Sequence, residues 1–501
     1  MKSVYKPLNK NTPPVRRAPA VAGICLIIAC LFQTSCKKLL EIDPPIDKIS
    51  ATTVFSSTTF AVQAMTGVYA DIIQHFENGN VILDHSLRLA YIADELTPVK
   101  VTGGPALQSY RNAYSFDPGG TQAGWVAWYT FIYRVNAILD GVKASTGIPQ
   151  QSKTVLNGEA KFMRAFCYFY LVNLYGDCPL ITMSLYSQNI NVPRVSRDLI
   201  YAQMVQDLKD AQSSLTDNYL GIDLATPTTE KVRPNKIAAT ALLARVYLYM
   251  GKWKEAEAEA TTVINNSNYS LLTDLNSVFL KNSGEAIWQL QPNPQGSSNY
   301  ITANTLLAAY LIPNPGDTPN WIASDDLLAA MEPGDLRKEN WLENADDGSG
   351  NLYLIPFKYK LGKFQMDQQE YIMVLRLAEQ YLIRAEARAQ QGRLTGSESA
   401  ESDVNAIRSR AGLPGTTAGN DQTAMLAEIA KQRFAELFME WGDRWLDLKR
   451  TGKINEVMQV ACPKKGGVWD PNKALFAIPA SEFLYNPALH GHQNPGYLET
   501  N

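Results

Sequence analysis

Three stretches of this chain repeat one pattern of small, bulky and turn-forming residues. They are Ala165, Tyr168, Leu171, Gly176; then Ala244, Tyr247, Gly251; then Ala385, Arg388, Gly392. Alanine lets two antiparallel helices approach, a bulky side chain fills the gap beyond it, and glycine closes the first helix. The second stretch continues into Trp253, Ala256, Ala260 and Val263, which supplies the partner helix. From about Thr58 to about Asn266, apolar residues recur at three and four residue spacing and strand-like alternation is scarce. That periodicity predicts a mainly α fold built from helix pairs.

The small and aromatic positions of the second stretch fit a tetratricopeptide-like pair. The units do not form a tandem array, because their closing glycines at 176, 251 and 392 are far more widely spaced than the ~34 residues of such repeats. The pairs are therefore expected inside a larger helical scaffold. An N-terminal helical part is assigned to 58–270 and a C-terminal part to 271–501. Between about 271 and 367 the texture changes to short strand-like runs, Ala286 to Leu290 and Leu352 to Tyr359, among Pro, Gly, Asn and Asp clusters. Such clusters predict a loop-rich insertion with a few short strands. Helical periodicity returns with Leu375, Ala378, Leu382, Ala385 and Ala389, and again from Phe434 to Leu448.

The first 35 residues carry five bases and no acid, and the basic stretch ending at Arg17 is followed by an apolar run, Val21 to Phe32, of the size of a signal core rather than a bilayer span. Residues 1–35 are expected to be a lipoprotein signal peptide, with Cys36 the lipidated first residue of the mature chain. Residues 36–57 are expected to be anchor and extended tether, given Pro44 and Pro45. Acyl chains on Cys36 bury enough methylenes for stable anchoring without a spanning helix. From Cys36 on, 41 bases face 49 acids, a formal charge of -8 with no basic tract, which argues against nucleic acid as partner. Of the cysteines, Cys167, Cys178 and Cys462 remain. A Cys178–Cys462 pair is left open by the sequence, and Cys167 in an aromatic run reads as a buried thiol.

No zinc-binding helix motif, nucleophile elbow, phosphate loop or dinucleotide fingerprint is present, so no metal or cofactor is expected. His490 and His492 read as a surface loop. The adjacent acids Asp94 and Glu95, Asp325 and Asp326, and Asp346 and Asp347 could serve glycoside hydrolysis, but such pairs are more often solvated charge or helix caps. Trp125, Trp128, Phe131 and Ile132, and Trp441 with Trp445, recur at helical spacing and are expected in the core. Rings in irregular ground differ. Tyr300, Tyr310, Trp321 and Trp341 lie among Asn, Ser, Gly and Asp, where an exposed ring beside polar groups can stack on a sugar face. These four are the candidate ligand-binding residues.

Taken in order, the motifs resemble those of the SusD/RagB family of Bacteroidota outer-membrane lipoproteins. The resemblance runs from Cys36, Leu39, Leu40 and Glu41 through the Trp128, Tyr133, Asn136 helix and the Glu159, Arg164, Tyr168, Gly176, Pro179 stretch. It continues with LRLAEQYLIRAEA from Leu375 and NAIRSRAGL from Asn405, and with Arg433, Glu436, Glu440, Gly442, Arg444, Trp445, Asp447 and Arg450. It closes with Ile478, Glu482, Asn486, Asn494 and Gly496. The charges between Arg433 and Arg450 are expected to pair within one helical stretch. The resemblance implies binding without catalysis: capture of a glycan at the cell surface and delivery to a SusC-like, TonB-dependent β-barrel transporter, with the outer membrane reached through the lipid on Cys36. It fixes no ligand-contacting residue. Two other readings stand beside it: a surface glycoside hydrolase or lyase on a helical scaffold, and a peptide-binding helical-repeat scaffold.

Overall fold

The computed structural model describes residues 51–74, 83–114, 121–292, 306–361 and 369–499. The signal, Cys36, most of the tether and Tyr300 lie outside the described residues.

The longer helices are α1 (Thr58–Gln74), α2 (Thr121–Ala144), α3 (Gln150–Tyr175), α4 (Arg197–Ser214), α5 (Lys236–Tyr249), α6 (Trp253–Ile264), α7 (Leu377–Gln390), α8 (Ala400–Arg410), α9 (Gln422–Leu437), α10 (Asp443–Arg450) and α11 (Ile454–Lys464). From α2 to α7 each helix packs on the next, and α7 carries α8 and α9. The array is continuous in space although the chain leaves it between Ile264 and Leu377: α7 docks directly on α6. This explains the uneven glycine spacing, since the loop-rich segment is inserted between two neighbouring layers.

Helix α5 sits at the middle of the array and is buried all round from Ile237 to Leu248. A helix apolar on every face has no solvent side, and its alanines keep the layers close. Asn235 starts it by accepting the Ala238 N–H at 2.8 Å. Gly251 ends it at φ +67°, a left-handed conformation that costs a side-chain-bearing residue about 1 kcal/mol, with the Trp253 ring packed beneath.

Bidentate arginine–carboxylate pairs staple successive layers. Arg164 of α3 holds Asp207 of α4, Arg245 of α5 holds Glu379 of α7, and Arg384 of α7 holds Asp403 of α8. Each pair is buried, and planar two-point geometry fixes the register between helices. The aromatic stripe expected on α2 is core: Trp128 stacks on Tyr170 of α3, ring centres 5.1 Å apart, and Phe166 bridges to Trp288 and Trp441.

Strands are short and antiparallel: β1 (Leu96–Pro98) pairs with β3 (Trp321–Ala323), β2 (Ala286–Leu290) with β6 (Ile372–Arg376), and β4 (Leu342–Asp346) with β5 (Leu352–Pro356). Leu375, expected as the start of helical periodicity, instead belongs to β6. Arg376 is extended at φ -141° and α7 begins one residue later.

A further expectation is corrected. The segment from Arg433 to Arg450 is not one helix: α9 ends at Leu437, and Met439, Trp441 and Gly442 all have positive φ before α10 starts. Gly442 has no alternative there, because a Cβ would lie 2.2 Å from Leu89. The charges accordingly pair mostly between elements. Cys178 and Cys462 are not joined; both are buried free thiols, as is Cys167.

Candidate functional site

The loop-rich insertion is tied to the helical array by a buried cluster of charge at the end of α9. The Glu436 carboxylate is shared by Arg376 at 2.6 Å, Arg337 at 3.2 Å and Arg410. Glu440 accepts from Arg376 at 2.8 Å and from Lys358 at 2.6 Å. Glu285 of the insertion answers Arg376 and Arg410. Burial alone would raise the Glu436 carboxyl, but the three guanidiniums overcome it and hold the group well below the usual range. Burial lowers Lys358 to about 8 despite its bond to Glu440.

Trp341 belongs to this cluster and not to the surface. It is 0% exposed, its indole N–H donates to the Leu275 carbonyl at 2.9 Å, and Lys358, Arg410 and Arg376 lie over its ring. The polar neighbours that suggested exposure are the short helix and hairpin around it, while the ring fills the space under three cations. Trp321 is likewise internal, 4% exposed and stacked flat on Tyr91 at 4.5 Å, with Tyr110 beyond it. The expectation of exposed rings is thus corrected for both tryptophans.

Tyr310 is different. It is 46% exposed on the short helix Leu306–Leu311, whose Leu307 and Leu311 face inward at i, i+4 spacing. That helix packs on the π-helical turn Leu83–Arg88. The chain then runs through exposed Asn314, Asp317 and Asn320 into β3. Strand β3 pairs with β1, which leads through exposed Thr102 to the short helix Gly104–Tyr110, where Gln108 is exposed. The internal rings Tyr91, Trp321 and Tyr110 pack together under the β1–β3 pair, and the exposed segment that joins Tyr310 to β3 carries amides and a carboxylate. Such a surface offers an aromatic face and both donors and acceptors.

A family model described as "Starch-binding associating with outer membrane" matches residues 41–248, and one described as "SusD family" matches residues 353–497. The chain belongs to the SusD/RagB family. The SusD-like protein P25 of Formosa agariphila is 27% identical, the match covering 94% of this chain and 97% of the relative. A SusD superfamily protein from Bacteroides vulgatus shares the fold at TM-score 0.74 and 22% identity, over 88% of this chain and 99% of that one. A solved laminarin binding SusD-like protein matches at TM-score 0.71 and 26% identity, with the same coverage.

In this SusD-family chain each of the three adjacent acidic pairs has a structural engagement. Arg444 clamps Asp94 at 2.8 and 2.6 Å. Glu95, 1% exposed, accepts the Met439 N–H at 3.3 Å; burial and the Asp94 charge push it up to about 8. Asp325 and Asp326 open the short helix Asp325–Ala330, where the helix dipole favours them, and Asp326 also pairs with Lys464 at 2.6 Å. Asp346 and Asp347 shape the β4–β5 turn through backbone N–H groups. His490 pairs with Glu499 at 3.4 Å, and His85 lies in the core beside Trp128.

Among the described residues, the most exposed rings are not Tyr310, Trp321 or Trp341. Tyr186 and Tyr485 are 73% and 72% exposed, and Tyr133 54%. Tyr133 follows Trp125 and Tyr129 at four-residue steps, and that stripe reads as packing until the neighbouring loops are in place.

Proposed function

We propose that this SusD-family protein is a non-catalytic glycan-capture lipoprotein of the outer membrane, anchored through Cys36, that hands its ligand to a TonB-dependent barrel. Tyr310 carries the reading. It is an exposed ring on the insertion, followed along the chain by the exposed Asn314, Asp317 and Asn320. A pyranose offers a CH face to the ring and hydroxyls to amides and carboxylates of the neighbouring segment. Tyr300 is proposed as a second contact.

The comparisons support the reading at the level of class. The family description names starch binding at the outer membrane, and a relative of known structure binds laminarin. No helix among the described residues is long and apolar enough to cross a membrane; the acylated Cys36 is proposed as the anchor. Hydrolysis has less support, because the acidic pairs are clamped, capped or buried as above.

The test is incubation of the protein with starch, laminarin, xylan and mannan. Retention of at least one polymer with no new reducing ends is expected. Release of reducing ends would favour the hydrolase reading, and retention of none would remove glycan capture. Mass spectrometry should find a diacylated or triacylated Cys36 at the mature N-terminus, and a different, unmodified N-terminus would remove the anchor. Pull-down from solubilised outer membrane is expected to bring a large β-barrel; soluble partners alone would favour a peptide-binding scaffold.

A further inference from the structure

A groove of about 250 Å³ lies on a surface that shares no lining residue with the Tyr310 face. One wall is α2, whose Trp125, Tyr129 and Tyr133 face it at i, i+4 and i+8. The loop after Pro179 is pinned along the same helix: Tyr129 donates to the Pro179 carbonyl at 2.8 Å, Asn136 to that of Ile181 at 3.1 Å, and Asp140 accepts the Ser184 N–H at 2.9 Å. The opposite wall is the short helix Ala480–Tyr485 with Asn486, which donates to the Val192 carbonyl at 2.8 Å. The groove is therefore preformed.

Its rim holds the three exposed rings, Tyr133, Tyr186 and Tyr485, and none of them stacks on another ring among the described residues. Its interior is not purely apolar. Trp125 is 1% exposed, and its indole N–H has no partner at hydrogen-bond geometry. The Glu482 carboxyl, which burial raises, faces that N–H, and the N–H counters the rise. A donor and an acceptor thus face the same small space. An apolar protein segment seated there would bury the remaining accepting capacity of the Glu482 carboxylate without a partner, at about 1–3 kcal/mol. A hydroxyl-bearing ring satisfies donor and acceptor, since a hydroxyl accepts from the indole and donates to the carboxylate.

We infer that this groove is a second carbohydrate site, which takes a pyranose unit with its CH face on Tyr133 or Tyr485 and its hydroxyls between Trp125 and Glu482. The inference rests on the capture reading above and adds a second grip on the same polymer. Two sites on one molecule raise the apparent affinity for long chains well beyond either alone.

The experiment titrates the full-length protein, in detergent, with starch, laminarin, xylan and mannan, comparing wild type with Tyr133→Ala/Tyr485→Ala and with Glu482→Gln. The expected result is roughly tenfold weaker binding of the retained polymer by the double variant and a smaller loss for Glu482→Gln, with Tyr310-dependent binding still present. Glu482→Gln decides the case should the double variant melt early. Wild-type affinity in both variants overturns the groove and leaves the Tyr310 reading standing. Wild-type glycan affinity with loss of the co-purifying barrel marks the groove as a protein interface and also overturns it. Retention of no polymer by the wild type removes both readings together.

Discussion

The helical array and the loop-rich insertion are held together by different chemistry. In the array, alanines and aromatics set the spacing of α2 to α7, and arginine–carboxylate pairs such as Arg164–Asp207 and Arg245–Glu379 cross between helices. In the insertion the strands are isolated two-stranded pieces, and attachment depends on Arg337, Arg376, Arg410 and Lys358 gathered around Glu436, Glu440 and Glu285 over the Trp341 ring. The contrast teaches that a segment rich in Asn, Gly and Asp can still bury its largest rings, provided that buried charges need an apolar floor. It also separates rings that hold the insertion in place from rings available to a ligand.

The largest expected break comes at the cluster. Glu436→Ala leaves Arg337, Arg376 and Arg410 facing one another without their shared anion and should cost at least about 3–5 kcal/mol, read as loss of the cooperative melt or of folded protein. The same carboxylate predicts acid lability. Its folded pKa is depressed, so its contribution is full above about 4.5, the ordinary glutamate value, and is lost as pH falls below it. A wild-type melting temperature that stays flat from pH 6 to pH 3 would contradict the cluster's role.

Next comes Trp341→Ala. Removal of a fully buried indole should cost about 3–5 kcal/mol in chemical denaturation, and any loss of glycan binding should track unfolding. An intact melting curve with abolished binding would restore Trp341 as a ligand contact. In the array, Ala244→Leu should cost about 1–3 kcal/mol by overpacking, measured by the same denaturation. The smallest effect is at Glu95. Its folded pKa lies near 8, so the neutral carboxyl's advantage is present below about 4.5 and lost as pH rises towards 8. Glu95→Gln should therefore melt roughly 2 °C higher than wild type at pH 9, with a smaller difference at pH 5.

Much of the array was legible in the sequence because its determinants are local. Ala244, Tyr247, Gly251 and Trp253 encode a helix, its end and its partner within one short window, and Trp128 and Trp445 are buried as their helical spacing implies. The insertion was legible only as texture. Trp341 and Trp321 were read as exposed because their sequence neighbours are polar, whereas the groups that bury them, Arg376, Arg410 and Tyr91, come from distant parts of the chain. The same limit explains the charges after Arg433. Three and four residue spacing suggested pairing within a helix, but the left-handed residues Met439, Trp441 and Gly442 break it, and Glu436 and Arg444 reach other elements. Tyr310 was identified for its polar surroundings and is exposed; Tyr186 and Tyr485 were overlooked, since exposure depends on which loops close around a ring.

Under the proposed function an exposed ring of the insertion, and not a buried one, holds the glycan. Isothermal titration of wild type and Tyr310→Ala with whichever of starch, laminarin, xylan or mannan the wild type retains tests it most directly. The account predicts about a tenfold loss of affinity or more for Tyr310→Ala, with stability unchanged within about 0.5 kcal/mol. Equal affinity of the two proteins would contradict it.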